Sequence, residues 1–259
     1  PAILLAVLHI LAAERDAVLC IFPADHVIQD IDAFHEQLKA AIALASDGFI
    51  VTFGIQPHYP ETGYGYVEGG KKLSHGALAL KRFVEKPDLP TAQKYIKAGN
   101  FFWNSGMFAF KASVILAEFK IHQPELLGNM QAVFTVDKPI TRKDYDQLAD
   151  ISIDYAIMEK TTKGAVLPSD FGWSDIGSWK SLYDFLGKDA NNNVIAGDVM
   201  VQDTRNSLIF GHDRLIAANH LKDMVVVETA DSVFVSDLEN SRDVKSFVTQ
   251  LKDEERQEC

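Results

Sequence analysis

The chain has 259 residues, of which 47% are hydrophobic and 24% are charged, and it carries a formal net charge of −11 at pH 7. This length suits one large α/β domain with a small second domain, and the composition is that of a folded protein with a sizeable core. The negative charge repels nucleic acids, and the apolar run at residues 1–13 is shorter than the roughly 20 residues of a membrane span. We therefore expect neither a nucleic-acid partner nor a membrane anchor.

The cysteines and the first residues indicate where the chain works and how it begins. Its two cysteines, Cys20 and Cys259, fit neither a disulfide framework nor a zinc site, which indicates a reducing, cytoplasmic location. Residues 1–13 are apolar on nearly every side, which favours a buried helix. Because no residue before Pro1 can cap that helix, the sequence reads as starting inside a domain.

Strands and helices alternate through the first part of the chain. Residues 17–22 form a continuous apolar run, which predicts a strand buried on both faces of a parallel sheet. Residues 30–46 have helical periodicity and residues 49–55 predict the next strand, so the three segments make a βαβ unit. Turns are expected at 57–70. Further strands are predicted at 78–84 and 164–168, and further helices at 91–98, 113–119, 124–134, 142–148, 153–158 and 178–186.

The pattern changes after the three asparagines at 191–193. Short β-type runs recur there, separated by Asp, Asn, Gly or Lys, and they predict a stacked all-β domain that a helix at 243–252 closes. We place the boundary near residue 190, with an α/β domain at 1–190 and a β-rich domain at 191–259. The β runs lie at 197–201, 207–210, 215–217, 224–227 and 232–235.

Two acidic turns stand out, and each follows or adjoins a strand-like apolar stretch. Asp25 lies in Phe-Pro-Ala-Asp-His at 22–26, just past a strand end, where open α/β sheets bind ligands. Asp175 lies in Gly-Trp-Ser-Asp-Ile-Gly at 172–177. A plain turn explains either one alone, but Mg²⁺ prefers one or two carboxylates together with phosphate oxygens. Taken together, the two turns predict a Mg²⁺ site.

Other candidate residues carry the polar groups that a sugar phosphate needs. Lys86 follows a predicted strand and can reach a phosphate, while Glu85 can accept hydrogen bonds from sugar hydroxyls. A solvated charge run is the alternative for this pair. Gly65 lies in a Gly-Tyr loop whose backbone can approach a ligand closely. Asn104 is embedded among the aromatic residues of 101–110, so its amide needs a partner, either the backbone or a polar ligand.

The chain resembles the nucleotidyltransferases that make nucleotide sugars, and most of all the bacterial mannose-1-phosphate guanylyltransferases. Some of those relatives are bifunctional and carry a phosphomannose isomerase domain. The resemblance implies a Rossmann-like nucleotide-diphospho-sugar transferase fold, which is α/β with a mixed sheet, followed by a small C-terminal β-helix-like domain. The matching segments follow one another in order over essentially the whole chain: FPADHVI, VTFGIQPHYPETGYGYVE, RFVEKPDLPTAQKYI, FFWNSGMFAF, SIDYAIMEK, GWSDIGSW, GDV, DTRNS and DMVVVET.

The resemblance also implies a reaction and the residues that support it. GMP would pass from GTP to mannose 1-phosphate, giving GDP-mannose and pyrophosphate. Asp25 and Asp175 would bind Mg²⁺, and with Lys86, which would hold the sugar phosphate, they would be the catalytic residues. Glu85 would hold sugar hydroxyls. The remaining assignments place Asn104 and the Gly65 backbone in the mannose pocket, and Thr52 and Gly54 near the sugar or the nucleotide.

One part of the family pattern does not occur in these residues. The sequence contains neither the glycine-rich G-x-G-T-R-like loop nor the Pro-Lys motif that cradle the triphosphate in this family. We therefore expect the 259 residues to be an incomplete record of a longer protein, and to be inactive alone.

Several alternatives stay open at this point. A metal-dependent glycosyltransferase is one, since Asp30-Ile31-Asp32 resembles its D-x-D motif, although Asp is also favoured at a helix start and we predict a helix there. A non-catalytic subunit that binds sugar nucleotides is another, and the missing loop supports it. The residues leave the base undetermined, glucose 1-phosphate could replace mannose 1-phosphate, and the β-rich domain could form a homodimer interface.

Overall fold

The computed structural model describes residues 1–13, 15–241 and 244–256, and Cys259 lies outside them. The chain folds into two units. The first holds Pro1–Ala24 and Ile28–Trp173, and the second holds Asp25–Val27 together with the chain from Ser174 onward. The predicted domain boundary near residue 190 stays a prediction.

Several helices in the first unit begin where the sequence provides a capping side chain or a proline. Asp30 accepts a hydrogen bond from the backbone N–H of Ala33 at 2.9 Å, so the Asp-Ile-Asp segment begins a helix as predicted. None of the helices in the described residues has the length and apolarity that crossing a bilayer requires. The helices are α1 (Ala2–Ala12), α2 (Ile31–Ser46), α3 (Leu89–Ala98), α4 (Ala112–His122), α5 (Pro124–Val133) and α6 (Arg142–Tyr145), with a 3₁₀ turn at Ser74–Gly76 and a π-helical turn at Asp154–Met158.

A mixed six-stranded sheet organises the first unit, in the order β1-β6-β3-β7-β5-β4. In the described part of this sheet only β3 and β7 pair in parallel, and β6 pairs antiparallel with β1, β3 and β4. The strands are β1 (Val18–Ile21), β2 (Val27–Ile28), β3 (Ile50–Ile55), β4 (Tyr66–Lys72), β5 (Leu78–Val84), β6 (Phe101–Lys111), β7 (Gly164–Ser169) and β8 (Trp173–Ser174), of which β2 and β8 lie outside this sheet.

Two sequence predictions about this sheet are wrong. Among the described strands β1 pairs with β6 alone, in antiparallel register, and only Leu19 of its four residues is buried. It runs in the same direction as β3, but β6 lies between them. The prediction failed because an apolar run carries no information on which strand becomes its neighbour.

Turns were expected throughout 57–70, yet β4 begins at Tyr66. Its Gly69 is explained by packing, since a Cβ atom there would collide with Leu78 on β5.

Alternation along β6 gives the first unit a hydrophobic core on each face of the sheet. Phe102, Phe108 and Phe110 join the core that encloses Leu4, Val7 and Leu8 of α1, so this helix is buried along one face rather than on every side as its apolar sequence predicted. The opposite core contains residues of α2 and α3 together with four residues of β6, which are Phe101, Trp103, Met107 and Ala109. The helix and sheet layers thus bury β6 on both faces.

The second unit stacks short parallel strands into a β-helix-like domain. Val199 pairs with Ile216 and Leu208 pairs with Val225, each 17 residues later in the chain, as expected for successive coils. The strand predicted at 197–201 instead begins at Val199, because Gly197 forms a corner with φ of 91°. The elements are α7 (Trp179–Phe185), β9 (Val194–Ala196), β10 (Val199–Gln202), β11 (Leu208–Phe210), β12 (Ile216–Asn219), β13 (Met224–Glu228), β14 (Val233–Asp237) and α8 (Val244–Asp253).

Glu228, at the end of β13, ties down a turn of this domain. Its carboxylate accepts hydrogen bonds from the backbone N–H groups of His212 at 2.7 Å and Asp213 at 3.0 Å, and from Nε of Arg214 at 2.9 Å. The Arg214 side chain and these backbone donors stabilise the charged form, which lowers the pKa of Glu228 from 4.5 to about 2.

The Glu228→Gln variant should therefore unfold at a lower temperature than the wild type at pH 7, because it loses the charged acceptor. A lowered pKa contributes stability above the ordinary value of 4.5 that is lost as pH falls toward 2. The difference in melting temperature should accordingly narrow between pH 4.5 and pH 2, as measured by circular dichroism. Glu239→Gln, whose side chain is 78% exposed, is the control. Equal melting of Glu228→Gln and wild type at pH 7 would contradict this role.

Candidate functional site

Asn104 lies where β6 departs from regular pairing with β3. The register changes from Thr52 opposite Phe108 to Gly54 opposite Asn104, so β6 has two more residues than β3 in this stretch. Gly106 takes up the distortion with φ of 70°, a left-handed conformation that glycine adopts readily. The polar break in the aromatic segment 101–110 is therefore a β-bulge.

The amide of Asn104 has a partner on each side. The Thr52 hydroxyl donates to Oδ1 of Asn104 at 2.8 Å, and Nδ2 of Asn104 donates to Oδ1 of Asp154 at 3.0 Å. Thr52 is fully buried on β3, whereas Asp154 begins the π-helical turn and is partly buried. Three segments that are distant in sequence therefore meet in one chain of hydrogen bonds.

Gly65 and Glu85 lie against the same asparagine. The backbone N–H of Asn104 donates to the carbonyl oxygen of Gly65 at 2.8 Å. A Cβ atom at Gly65 would lie 2.5 Å from Oε2 of Glu85 and 3.4 Å from Cβ of Asn104. The structure thus brings Thr52, Gly65, Glu85 and Asn104 together and adds Asp154, and their roles toward a substrate stay predictions.

Lys86 places a positive charge beside these carboxylates. Its Nζ lies 3.4 Å from Oε1 of Glu85, and its side chain is 61% exposed whereas that of Glu85 is 13% exposed. The Lys86 backbone has φ of 47°, which is a left-handed conformation, so the chain turns sharply after β5. The charge pair is therefore built into a defined turn.

Burial controls the protonation of both carboxylates. Burial raises the pKa of Asp154 above its usual value, against the opposing effect of hydrogen bonds from Ser152 and Asn104. Burial also raises the pKa of Glu85, and the negative charge of Asp154 adds to that effect while Lys86 opposes it. Two carboxyl groups with raised pKa values therefore share one cation, and such groups concentrate at functional sites.

Sequence analysis did not select Asp154 as a site residue. The segment Ser-Ile-Asp-Tyr-Ala-Ile-Met-Glu-Lys carries part of the family resemblance, and the acid at its third position is also what a helix start favours. The sequence around Asp154 offers only a carboxylate shortly before the buried Ala156–Met158. Only the contact with Asn104, which lies 50 residues earlier, marks Asp154 as part of the site.

Gly54 has a packing reason for lacking a side chain. A Cβ atom there would collide with Val166 on β7 and lie 2.8 Å from Cβ of Phe102 on β6. Gly54 lies opposite Asn104 in the ladder, two residues after Thr52 on β3. Its predicted role near the substrate stays a prediction.

Asp25 and Asp175 both fall in the second unit, although they are far apart in sequence. The side chain of Asp25 is 86% exposed, with Nε2 of His26 at 4.0 Å. Oδ1 of Asp175 accepts from the backbone N–H of Gly177 at 3.1 Å, in a tight turn where Ile176 has φ of 44°. The Asp25 side chain is thus exposed, whereas Asp175 is partly buried in its turn, and the predicted Mg²⁺ site stays a prediction.

Within the described residues, no group of three or more His, Cys, Asp or Glu side chains could hold a metal ion by itself. A cation at Asp25 and Asp175 would therefore have to complete its coordination with water or ligand oxygens. That requirement fits Mg²⁺, which usually keeps several waters and binds one or two carboxylates plus phosphate oxygens.

Two family models match successive parts of the chain. The model of the nucleotidyl transferases matches residues 1–192, and that of the mannose-phosphate isomerase/GMP-like β-helix domain matches residues 197–251. The fold is accordingly a nucleotide-diphospho-sugar transferase fold with a mixed sheet, followed by a β-helix-like domain.

Relatives with similar sequences carry consistent names. A putative mannose-1-phosphate guanylyltransferase of Vibrio cholerae is 42% identical over 264 residues, which cover the whole chain and 57% of the relative. The xanthan biosynthesis protein XanB of Xanthomonas campestris is 45% identical over 265 residues, which cover the whole chain and 56% of the relative. The chain thus spans little more than half the length of these curated relatives.

A solved structure extends the likeness to three dimensions. The crystal structure of a protein named mannose-1-phosphate geranyltransferase, from Thermus thermophilus, matches with a TM-score of 0.85 and 32% identity, over 97% of this chain and 74% of that chain. With the family models and the named relatives, this match establishes that the chain belongs to the nucleotidyl transferase family, in the group that contains the mannose-1-phosphate guanylyltransferases.

Proposed function

We propose that the protein transfers GMP from GTP to mannose 1-phosphate, releasing pyrophosphate and forming GDP-mannose. The observation that carries the proposal is the convergence of Thr52, Gly65, Glu85, Lys86 and Asn104 in the first unit, where polar groups of β3 and β6 meet one cation just after β5. The names of the relatives support mannose 1-phosphate as the acceptor.

Recognition of the sugar phosphate follows from the charges of this site. The Glu85 carboxylate accepts hydrogen bonds from sugar hydroxyls, and the Asn104 amide retains one N–H and one lone pair for a ligand after its bonds to Thr52 and Asp154. Lys86 is the exposed cation next to Glu85 and binds the phosphate. The hydroxyls and the phosphate are thereby held at different ends of the site.

In the proposed reaction an oxygen of mannose 1-phosphate attacks the α-phosphorus of GTP. A new P–O bond forms to the sugar phosphate, the bond between the α-phosphorus and its bridging oxygen breaks, and pyrophosphate leaves with that electron pair. Phosphoryl transfer of this kind depends on positioning and charge neutralisation rather than on a covalent catalyst. Lys86 contributes by neutralising the charge of the attacking phosphate as the two anions approach each other.

A divalent cation, for which we propose Mg²⁺, would be held by Asp25 and Asp175. The Asp25 carboxylate is exposed and Asp175 is partly buried, and carboxylate oxygens are the hard donors that this ion prefers. Bound there, the ion would supply charge neutralisation on phosphate oxygens.

The surroundings of the protein complete the proposal. We place it in the cytoplasm, where the free thiol of Cys20 would stay reduced. We assign a homodimer interface to the β-rich unit, whose surface exposes Met200, Val233 and Val235. Sedimentation velocity of the chain measures its molecular mass in solution. A mass of two copies would agree with that assignment, and a mass of one copy would contradict it.

A coupled pyrophosphate assay tests the reaction and the metal ligands together. With GTP, mannose 1-phosphate and Mg²⁺, the full-length protein should release one pyrophosphate per GDP-mannose, whereas a glycosyltransferase would release none. Asp175→Ala should lower turnover by about 100-fold or more, because a metal ion contributes several kcal/mol of charge stabilisation.

Asp198→Ala is the matched control, since it removes an exposed carboxylate from the same unit. Circular dichroism should show that both variants fold like the wild type. Unchanged turnover in Asp175→Ala would refute the metal assignment, and a wild type that binds the substrates without releasing pyrophosphate would refute the reaction.

Lys86→Asn tests the phosphate contact without disturbing the turn. Asparagine tolerates the left-handed conformation of residue 86, so the substitution removes the charge and keeps the backbone. A charge-assisted hydrogen bond contributes about 1.5–3 kcal/mol, so kcat/KM for mannose 1-phosphate should fall by about 10- to 150-fold.

Lys94→Asn, which removes an exposed lysine on α3, should leave kcat/KM for mannose 1-phosphate at the wild-type value. Steady-state kinetics with varied mannose 1-phosphate provide both measurements. Equal losses in the two lysine variants would mean that general electrostatics, and not a contact from Lys86, controls binding.

A further inference from the structure

Asp154 has no assigned task in the proposed reaction, yet it contacts the centre of the sugar site. Its Oδ1 accepts a hydrogen bond from Nδ2 of Asn104 at 3.0 Å. Asp154 begins the π-helical turn, and Ala156–Met158 of the same turn are buried in the core. The carboxylate is therefore held in place by the fold and directed at a residue that we expect to touch substrate.

The two partners of Asn104 differ in what they can enforce. A threonine hydroxyl can donate or accept, so Thr52 would accommodate either orientation of the Asn104 amide. An ionised carboxylate can only accept, so Asp154 requires the NH₂ group of Asn104 on its side. The orientation of the amide thus depends on Asp154, and the carbonyl oxygen is left to Thr52.

An amide of fixed orientation presents a fixed pattern to a ligand. After these two bonds Asn104 keeps one N–H donor and one acceptor lone pair, at positions that would exchange if the amide rotated by 180°. Sugar epimers differ in where a hydroxyl points, so they differ in how well they meet such a pattern. A site built around fixed hydrogen bonds discriminates strongly against ligands that leave them unmade.

We propose that Asp154 is a positioning residue that fixes the Asn104 amide and thereby sets the preference of this site for one sugar 1-phosphate epimer. The inference rests on the proposed function, because it takes Asn104 to contact the sugar. In this proposal Asp154 does not touch the sugar and acts on it through Asn104.

Asp154→Asn is the main variant, since it keeps the size of the side chain but offers either an acceptor or a donor to Asn104. Calorimetry with mannose 1-phosphate and with glucose 1-phosphate, without nucleotide, gives the two affinities and their ratio. Loss of one fixed hydrogen bond should weaken binding of the preferred epimer by about 10-fold or more and reduce the ratio between the epimers. In an Asn104→Ala background the same substitution should change neither value.

Two further variants separate this role from a merely structural one. Thr52→Val removes the other partner but leaves the orientation to Asp154, so the epimer ratio should persist even if affinity falls. Glu118→Gln alters a buried carboxylate elsewhere in the first unit, where it pairs with His122 at 3.3 Å and Lys163 at 3.4 Å. It should lower the melting temperature without changing the ratio.

Several outcomes would overturn the proposal. A wild-type ratio in folded Asp154→Asn would do so, and so would an undiminished effect of Asp154→Asn in the Asn104→Ala background, which would mean direct contact with the sugar. A changed ratio in Thr52→Val would assign the orientation to Thr52 instead. Failure of the wild type to bind either sugar phosphate would contradict the proposed function and this inference together, whereas binding with unchanged ratios would contradict the inference alone.

Discussion

The bulge in β6 is the constraint on which the first unit depends. Between Asn104 and Phe108 this strand has two more residues than β3, and an even number of extra residues keeps the alternation of side chains on the same faces. Phe102 before the bulge and Phe108 after it therefore enter the same core. One additional residue would have reversed every side chain that follows. The strand can thus remain a core strand on both sides of a polar interruption that brings Asn104 to Thr52.

The electrostatics of the site depend on the charged groups that lie around Asn104 in this bulge. Glu85 and Asp154 are partly buried carboxylates that share one nearby lysine, and a buried charge is tolerated only when hydrogen bonds or an opposite charge offset its loss of water. Asn104 offsets part of the cost for Asp154, and Lys86 does so for Glu85. The remaining acceptor capacity attracts hydroxyl donors and repels phosphate. A sugar phosphate in this site would therefore have its phosphate on the exposed side of Lys86, away from the carboxylates.

Local features of the fold could be predicted from the sequence, and features set by distant partners could not. The cap at Asp30 and the short β runs of the second unit depend on neighbouring residues, so their patterns predicted them. The antiparallel pairing of β1 with β6 depends on a partner about 90 residues away. The candidate residues Glu85 and Asn104 stand out by their neighbours in the sequence, and Thr52 enters only through the family resemblance. Asp154, by contrast, required the hydrogen bond to Asn104. A carboxylate at a helix start satisfies local rules whether or not it also serves a site.

The glycines show how far a local pattern can mislead about cause. Gly54 and Gly65 both invite the interpretation that a backbone without a side chain approaches a ligand. At Gly54 the neighbours are Val166 and Phe102, so core packing alone requires glycine. At Gly65 the nearest atom is Oε2 of Glu85, which is the end of a flexible side chain. A methyl group at Gly65 would displace that carboxylate before it displaced the backbone, so glycine at this position leaves room for the Glu85 side chain.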